Sequence, residues 1–406
     1  KNNTSAYFRQ SKNNILYLTV RKKNLTDKTI EQIKLDFAYY LSKIMPKKKI
    51  VLLYEKESSR YEESASVLYE KLIDDGYKDA YFILDKNYSH FHEIANKYRT
   101  NILYKGSFKH YLYFFMSKTF LGSEALVHAI DLRISNKHAL NKINDKSLNY
   151  VFLQHGVMYM VSLDSESRSF FKPMKTEGKY RVVTSSVEEA RHFIELGGYD
   201  PETIYVCGLP KFDRNTLNED ADKIVVMPTW RPWEYNEARY DFTQTKYYQM
   251  LVRIVDAIPE KFKDKLIVLP HPLFFDAIKD TEFELKQYLN VTDKYDDILK
   301  DTRILITDYS SIAYDAFYRG CNVIFYWEEK DECMANYGPT TKLMLNEENV
   351  YGDICMNPYQ LSKAIDINYF HGQDEVYQKR YSKLVDFHDG KNTERLITLL
   401  RKDEII

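Results

Sequence analysis

Four short segments of this chain place reactive side chains directly after apolar runs. Gln154-His155-Gly156 follows Tyr150-Val151-Phe152-Leu153. An imidazole titrates near neutrality, so His155 could take a proton from an alcohol. Gly156 lets the backbone approach a ligand closely. A hydrogen-bonded loop histidine is the ordinary alternative. Pro270-His271-Pro272 follows Leu266 to Leu269. The two prolines remove two donors and fix the backbone around His271. A rigid turn would explain the prolines but not the histidine between them.

The third segment, Pro228-Thr229-Trp230-Arg231-Pro232, follows Ile224 to Met227. A guanidinium at a strand end suits bidentate binding of phosphate or carboxylate, though a surface ion pair is as common for arginine. The fourth segment, Thr307-Asp308-Tyr309-Ser310-Ser311, leads from a strand into a helical pattern closed by Gly320. Unpaired N–H groups and the helix dipole make such an end a site for anions. Asp308 or Ser310 could simply cap the helix, the commoner role for these residue types. Together the four loops favour function over chance. Arg231, His271, Ser310 and Ser311 fall in the C-terminal half, which makes it the expected phosphate-donor side. His155 stands apart in the N-terminal half.

The elements that must position these loops follow one rhythm. Short apolar runs such as 50–53, 80–84, 101–104, 119–121, 150–153, 181–184 and 204–206 alternate with amphipathic helical patterns. Alternation of this kind predicts a parallel sheet covered by helices on both faces. After Gly208-Leu209-Pro210 the rhythm restarts with runs at 224–227, 266–269, 303–306 and 323–326. The expected architecture is therefore two doubly wound α/β domains facing across a cleft. Residues 1–47 are expected to form an N-terminal helical extension, with Leu35, Phe37, Tyr40, Leu41 and Ile44 on the core face. Residues 48–208 form the first domain and 209–376 the second. A C-terminal helical segment, 377–406, is expected to pack back on the first. In open parallel sheets ligands bind beyond the carboxyl ends of the strands, where all four loops lie. His155 and His271 are then expected to line one cleft from opposite sides.

Composition sets limits. The 406 residues carry a formal net charge of -1, with 44% hydrophobic and 29% charged residues. That balance gives no reason to expect nucleic-acid binding. Cys207, Cys321, Cys333 and Cys355 form no metal-like spacing with histidine, and Cys207 and Cys321 read as buried apolar residues, which favours a reducing compartment. No apolar run approaches the ~20 residues that span a bilayer. Lys1 is not a natural start, so an upstream segment is expected.

On these motifs, together with Gly208-Leu209-Pro210 and Asp213, the sequence resembles the CDP-glycerol glycerophosphotransferase family of teichoic acid primases and polymerases from about Lys49 to Leu400. The resemblance implies a GT-B-like fold of two Rossmann-type domains. It implies transfer of glycerol phosphate or ribitol phosphate from a CDP-polyol to a hydroxyl of a lipid-linked or glycan acceptor, releasing CMP. His155 would be the base, with His271 the second catalytic histidine. Gly156, Thr229, Arg231, His271, Asp308, Ser310 and Ser311 would serve the substrate, the cationic and helix-end groups holding the diphosphate. No cofactor is required on this reading, since the sequence has no clustered carboxylate set for magnesium, although Asp308 alone stays open as a divalent-metal ligand. Many family members read Trp-His-Gly-Thr-Pro where this chain has Gln154-His155-Gly156-Val157-Met158, so acceptor contacts are expected to differ. The family also suggests a cytoplasmic protein touching the inner face of the membrane, through runs such as Arg21-Lys22-Lys23 and Lys47-Lys48-Lys49. A GT-B glycosyltransferase using a nucleotide sugar is the alternative.

Overall fold

The computed structural model describes residues 4–10, 16–164, 177–229, 231–270, 274, 283–290 and 295–406. The chain opens with two strands, β1 (Thr4–Gln10) and β2 (Leu16–Lys22), which pair antiparallel. The expected helical extension is therefore corrected: only Thr29–Ile44 is a helix. Phe8, Leu16, Leu18 and Val20 are all exposed, a period-two pattern that belongs to a hairpin. The helix buries Leu35 and Ala38, but leaves Phe37, Tyr40 and Ile44 at 61%, 61% and 80% exposure. Its apolar residues wrap too far round for one face to bury them all.

The next strands are β3 (Val51–Tyr54), β4 (Ala80–Leu84), β5 (Ile102–Tyr104), β6 (Thr119–Gly122), β7 (Asn149–Phe152), β8 (Tyr180–Thr184) and β9 (Ile204–Val206). They form a seven-stranded sheet in the order β5-β4-β3-β6-β7-β8-β9, with parallel pairing from β5 through β8. The order reverses between β3 and β6. β10 (Lys223–Val226), β11 (Leu266–Val268), β12 (Thr302–Thr307), β13 (Asn322–Tyr326) and β14 (Asp353–Cys355) form a second, all-parallel sheet in the order β11-β10-β12-β13-β14. Here the reversal lies between β10 and β12. Strands such as β3, β4 and β13 are buried along their whole length, as sheets covered on both faces require.

The chain divides into two compact units. One comprises Lys1–His155, Met174–Val182 and Ile397–Ile406; the other comprises Gly156–Pro173 and Val183–Leu396. The expected boundary at 208–209 falls inside the second unit. The C-terminal helix Asn392–Lys402 contributes residues to both. All four cysteines are free and buried, and burial pushes each thiol up to about 12. Among the described residues, no helix is long and apolar enough to cross a membrane.

Candidate active site

Crossing points of strand order are where doubly wound sheets leave room for ligands. In the first unit the residues there are already partly occupied. Glu55, directly after β3, is fully buried and accepts N–H bonds from Glu62, Glu63 and Ser66 at 2.8, 2.9 and 2.9 Å. Its carboxylate sits at the start of the helix Ser64–Asp74, where a bound anion would otherwise find donors. The chain thus satisfies that helix end itself.

His155 follows β7. Leu153 continues the ladder by donating to Gly122 O at 2.8 Å. Gln154 is fully buried and has φ of +60°, a left-handed conformation that costs a non-glycine residue energy. The strained residue turns the chain at the sheet edge just before the histidine. His155 has 36% side-chain exposure, and its Nδ1 lies 3.6 Å from Glu124 Oε1. Glu124 follows β6 and is 19% exposed. Burial pushes its carboxyl up to about 7, partly offset by Lys56 and reinforced by Glu57. Its backbone carbonyl accepts from Tyr54 Oη at 3.1 Å and Tyr150 Oη at 2.5 Å, so hydroxyls from β3 and β7 fix the loop.

From Gly156 onward the segment belongs to the second unit. A Cβ on Gly156 would stand 2.7 Å from Ser311 Oγ and 3.3 Å from Ser311 Cβ. The glycine therefore permits an approach to protein, where sequence reasoning expected an approach to ligand. Met158 N donates to Glu189 Oε1 at 2.6 Å, while Glu189 Oε2 accepts from Ser185 N and Oγ at 2.6 and 2.7 Å. Tyr159 O accepts from Tyr314 Oη at 2.7 Å. Ser162 N donates to Lys342 O at 2.9 Å. These bonds hold the stretch after His155 to the body of the second unit.

Thr229, Arg231 and Asp308 meet at the second sheet's crossing point, after β10 and β12. Asp308 Oδ1 accepts from Thr229 N at 2.7 Å and from Tyr309 N at 2.5 Å. Asp308 Oδ2 lies 2.8 Å from Arg231 Nη1, which also donates to Thr229 O at 2.7 Å. Arg231 further faces Glu329 at 3.6 Å and the Tyr309 ring at 5.5 Å. Burial opposes its charge most, but Asp308, with Cys333 and Tyr309, holds the guanidinium well above its usual value. Arg231 is thus neither the surface ion pair nor the open cation that its sequence position suggested. Asp308 ties two loops together rather than capping the next helix. Arg231 Nε and Thr229 Oγ1 are buried without a hydrogen-bond partner among the described residues.

The helix Ile312–Arg319 begins where the sequence places it, with Ser310 and Ser311 half-buried at its start. Ser310 Oγ accepts from Ile312 N at 3.4 Å. His271 and Trp230 lie outside the described residues, so the expected pairing of His155 with His271 has no geometry here. No group of three or more metal-ligating side chains occurs among the described residues.

Sequence reasoning passed over Glu124 and Glu189, and took Asp213 only as part of a motif, with no role. Asp213 accepts from Asn392 N at 2.9 Å, Thr393 N at 2.7 Å and Thr393 Oγ1 at 2.6 Å, anchoring the C-terminal helix. Glu124 carried a usable signal, since it stands just past a strand end. Glu189 read only as an acidic residue in a first helical turn.

Two doubly wound parallel sheets, with polar residues collected past their strand ends, define a GT-B-like α/β protein. The profile of the family described as CDP-Glycerol:Poly(glycerophosphate) glycerophosphotransferase matches residues 37–402. The chain belongs to this family. The minor teichoic acid biosynthesis protein GgaB of Bacillus subtilis (strain 168) is 26% identical over 377 residues, covering 86% of this chain and 39% of GgaB. The chain therefore spans well under half the length of that relative. A structure of the wall teichoic acid polymerase TagF superposes with a TM-score of 0.62 at 16% identity, covering 93% of this chain and 97% of the chain in that structure. At that identity the likeness establishes the fold.

Proposed function

We propose that this chain transfers glycerol phosphate from CDP-glycerol to a hydroxyl of a teichoic acid or related glycan acceptor. The observation that carries the reading is His155: a half-exposed imidazole past a strand end, next to strained backbone at Gln154, beside a half-buried carboxyl. In the reaction, an acceptor oxygen attacks the phosphorus that bears glycerol. Its proton passes to His155, and the bond from that phosphorus to the CMP oxygen breaks with its electron pair. CMP leaves. Transfer of this kind needs alignment and charge stabilisation more than covalent help. On the donor side, the Ser310–Ser311 helix end and the two unpartnered polar atoms on Thr229 and Arg231 support contact with the diphosphate. His271 joins them on the family resemblance, and no metal is required in this reading.

The test is CMP release from CDP-glycerol with a glycerol phosphate oligomer as acceptor, repeated with CDP-ribitol and with EDTA. The reading expects turnover that survives EDTA and falls at least a thousandfold in His155→Ala with the fold intact. Wild-type turnover in that variant would overturn the base assignment. Thermal stabilisation by a UDP- or GDP-sugar alone would favour a glycosyltransferase.

We also propose peripheral contact with the inner face of a membrane through the N-terminal elements. The hairpin exposes Phe8, Leu16, Leu18 and Val20, and the following helix exposes Ile30, Ile33, Phe37, Tyr40 and Ile44. Lys22, Lys23 and Lys47 to Lys49 flank them. Apolar surface bordered by cations binds anionic interfaces. Co-sedimentation with anionic but not neutral vesicles, lost in Phe37→Glu/Ile44→Glu, is the expected result.

A further inference from the structure

Of the carboxylates set into the sheet ends and helix starts, Glu55 and Glu189 are fully buried and fully engaged. Glu55 takes three backbone N–H groups, and Glu189 takes two N–H groups and a hydroxyl. Glu124 differs. Among the described residues its one ion-pair neighbour is His155, at 3.6 Å from Nδ1. That separation is an ion-pair contact, longer than a hydrogen bond, which a small rotation of either side chain would close. The loop that carries Glu124 is held by two tyrosine hydroxyls on its carbonyl, so the side chain projects from a fixed backbone.

We propose that Glu124 is the positioning residue for His155, accepting the Nδ1–H so that Nε2 faces the acceptor hydroxyl. The proposal rests on the reading of His155 as the base. When Nε2 takes the acceptor proton, the imidazolium that forms lies beside a carboxylate. The negative charge of Glu124 stabilises it without receiving the proton, which leaves later through Nε2. A buried partner of this kind fixes both tautomer and ring orientation. Other charged groups face the pair. Lys56 favours the ionised carboxylate and Glu57 opposes it. His128, whose Nδ1 accepts from Glu57 N at 3.0 Å, is held neutral by burial and by Lys56 and Lys105. The Glu124 carboxyl, pushed up to about 7, is therefore ready to change charge across the pH range in which a histidine base works.

The experiment compares wild type, Glu124→Gln, Glu124→Asp and His155→Ala as the full chain. CMP release from CDP-glycerol is measured against pH, and the His155 ring nitrogens are followed by 15N NMR. In Glu124→Gln, kcat is expected to fall at least tenfold with KM for CDP-glycerol unchanged. The acidic limb moves to lower pH, and the His155 titration drops by about one unit or more, because the neighbouring negative charge is gone. Glu124→Asp keeps the charge at a longer distance and falls between the two. An unchanged His155 titration and kcat in Glu124→Gln overturns the proposal. Full turnover in His155→Ala instead overturns the base assignment, while the NMR titration still reports whether the pair is coupled. Should Glu124→Gln fail to fold, the same two readouts on Glu124→Asp decide the matter.

Discussion

Arg231 Nη1 lies 2.8 Å from Asp308 Oδ2, and both side chains are only 1% exposed. The two residues stand 77 positions apart and join the loops after β10 and β12. Removing one partner of a buried pair leaves an uncompensated charge, at a cost of roughly 3–5 kcal/mol. Arg231→Met and Asp308→Asn are each expected to lower stability on that scale in urea denaturation. Arg231→Lys keeps the charge and one nitrogen that could reach Asp308 and Thr229 O, as Nη1 does, but loses the Nη2 contacts to Glu329 and Met250 Sδ, so a smaller loss is expected. Wild-type stability in Arg231→Met would show that the pair does not hold the loops.

Gly156 allows no side chain where it stands. Gly156→Ala places a methyl group 2.7 Å from Ser311 Oγ, so one of the two segments must move. Turnover is expected to fall at least tenfold with a modest drop in melting temperature, since His155 is the adjacent residue. Adding Ser311→Gly removes both contacting atoms and should restore the melting temperature. A single variant with unchanged turnover would show that the loop absorbs the methyl group.

Gly208 has φ of +82°, and a Cβ there would meet Asn392 Oδ1 at 2.1 Å. Gly208→Ala is expected to cost roughly 1–2 kcal/mol for the left-handed backbone, before any displacement of Asn392. Asp213→Ala removes three bonds to the same helix start, and loss of such a cap costs about 1–2 kcal/mol. Both act on Asn392, so the double variant should lose less than the sum. Chemical denaturation of the four proteins in this cycle checks it.

His110 makes stability depend on pH. It is fully buried, its Nδ1 accepts from Gly106 N at 3.1 Å, and its Nε2 lies 2.8 Å from Ala129 O. Burial, with Lys105 nearby, pushes it down to about 4 from 6.5. The unfolded chain binds the proton near 6.5 and the folded chain resists it. This contribution is fully present above 6.5 and is lost as pH falls to 4, amounting to about 3 kcal/mol. Glu124, raised to about 7, acts in the opposite sense: its contribution is full near 4.5 and lost as pH rises to 7. Unfolding free energies of His110→Gln should therefore vary less between pH 6.5 and 4 than those of wild type. An equal slope in the two proteins would remove His110 from the account.

Much of the fold was legible because its signals are local. Apolar runs at 50–53, 119–121 and 224–227 became strands, and Gly320 closed the helix that Ser311 opens. The positions of His155, Asp308, Ser310 and Ser311 past strand ends were legible for the same reason. The N-terminal hairpin was missed, because its alternation spans two short strands separated by five residues. On the following helix, Phe37, Tyr40 and Ile44 looked like core residues, since periodicity reports a stripe and not what lies against it.

Sequence alone determined the alternating elements, the strand-end placement of the reactive side chains and, through its motifs, the family. Tertiary structure decided the partners of those side chains. Arg231 meets Asp308, Gly156 meets Ser311 and His155 meets Glu124 only because of the order in which strands pair and loops close. These contacts join residues 31 to 155 positions apart, and no local pattern of propensity or periodicity encodes them. Their physical consequence is large, because burial makes Arg231 a tie between loops through Asp308, and strand pairing brings Glu124 beside a histidine.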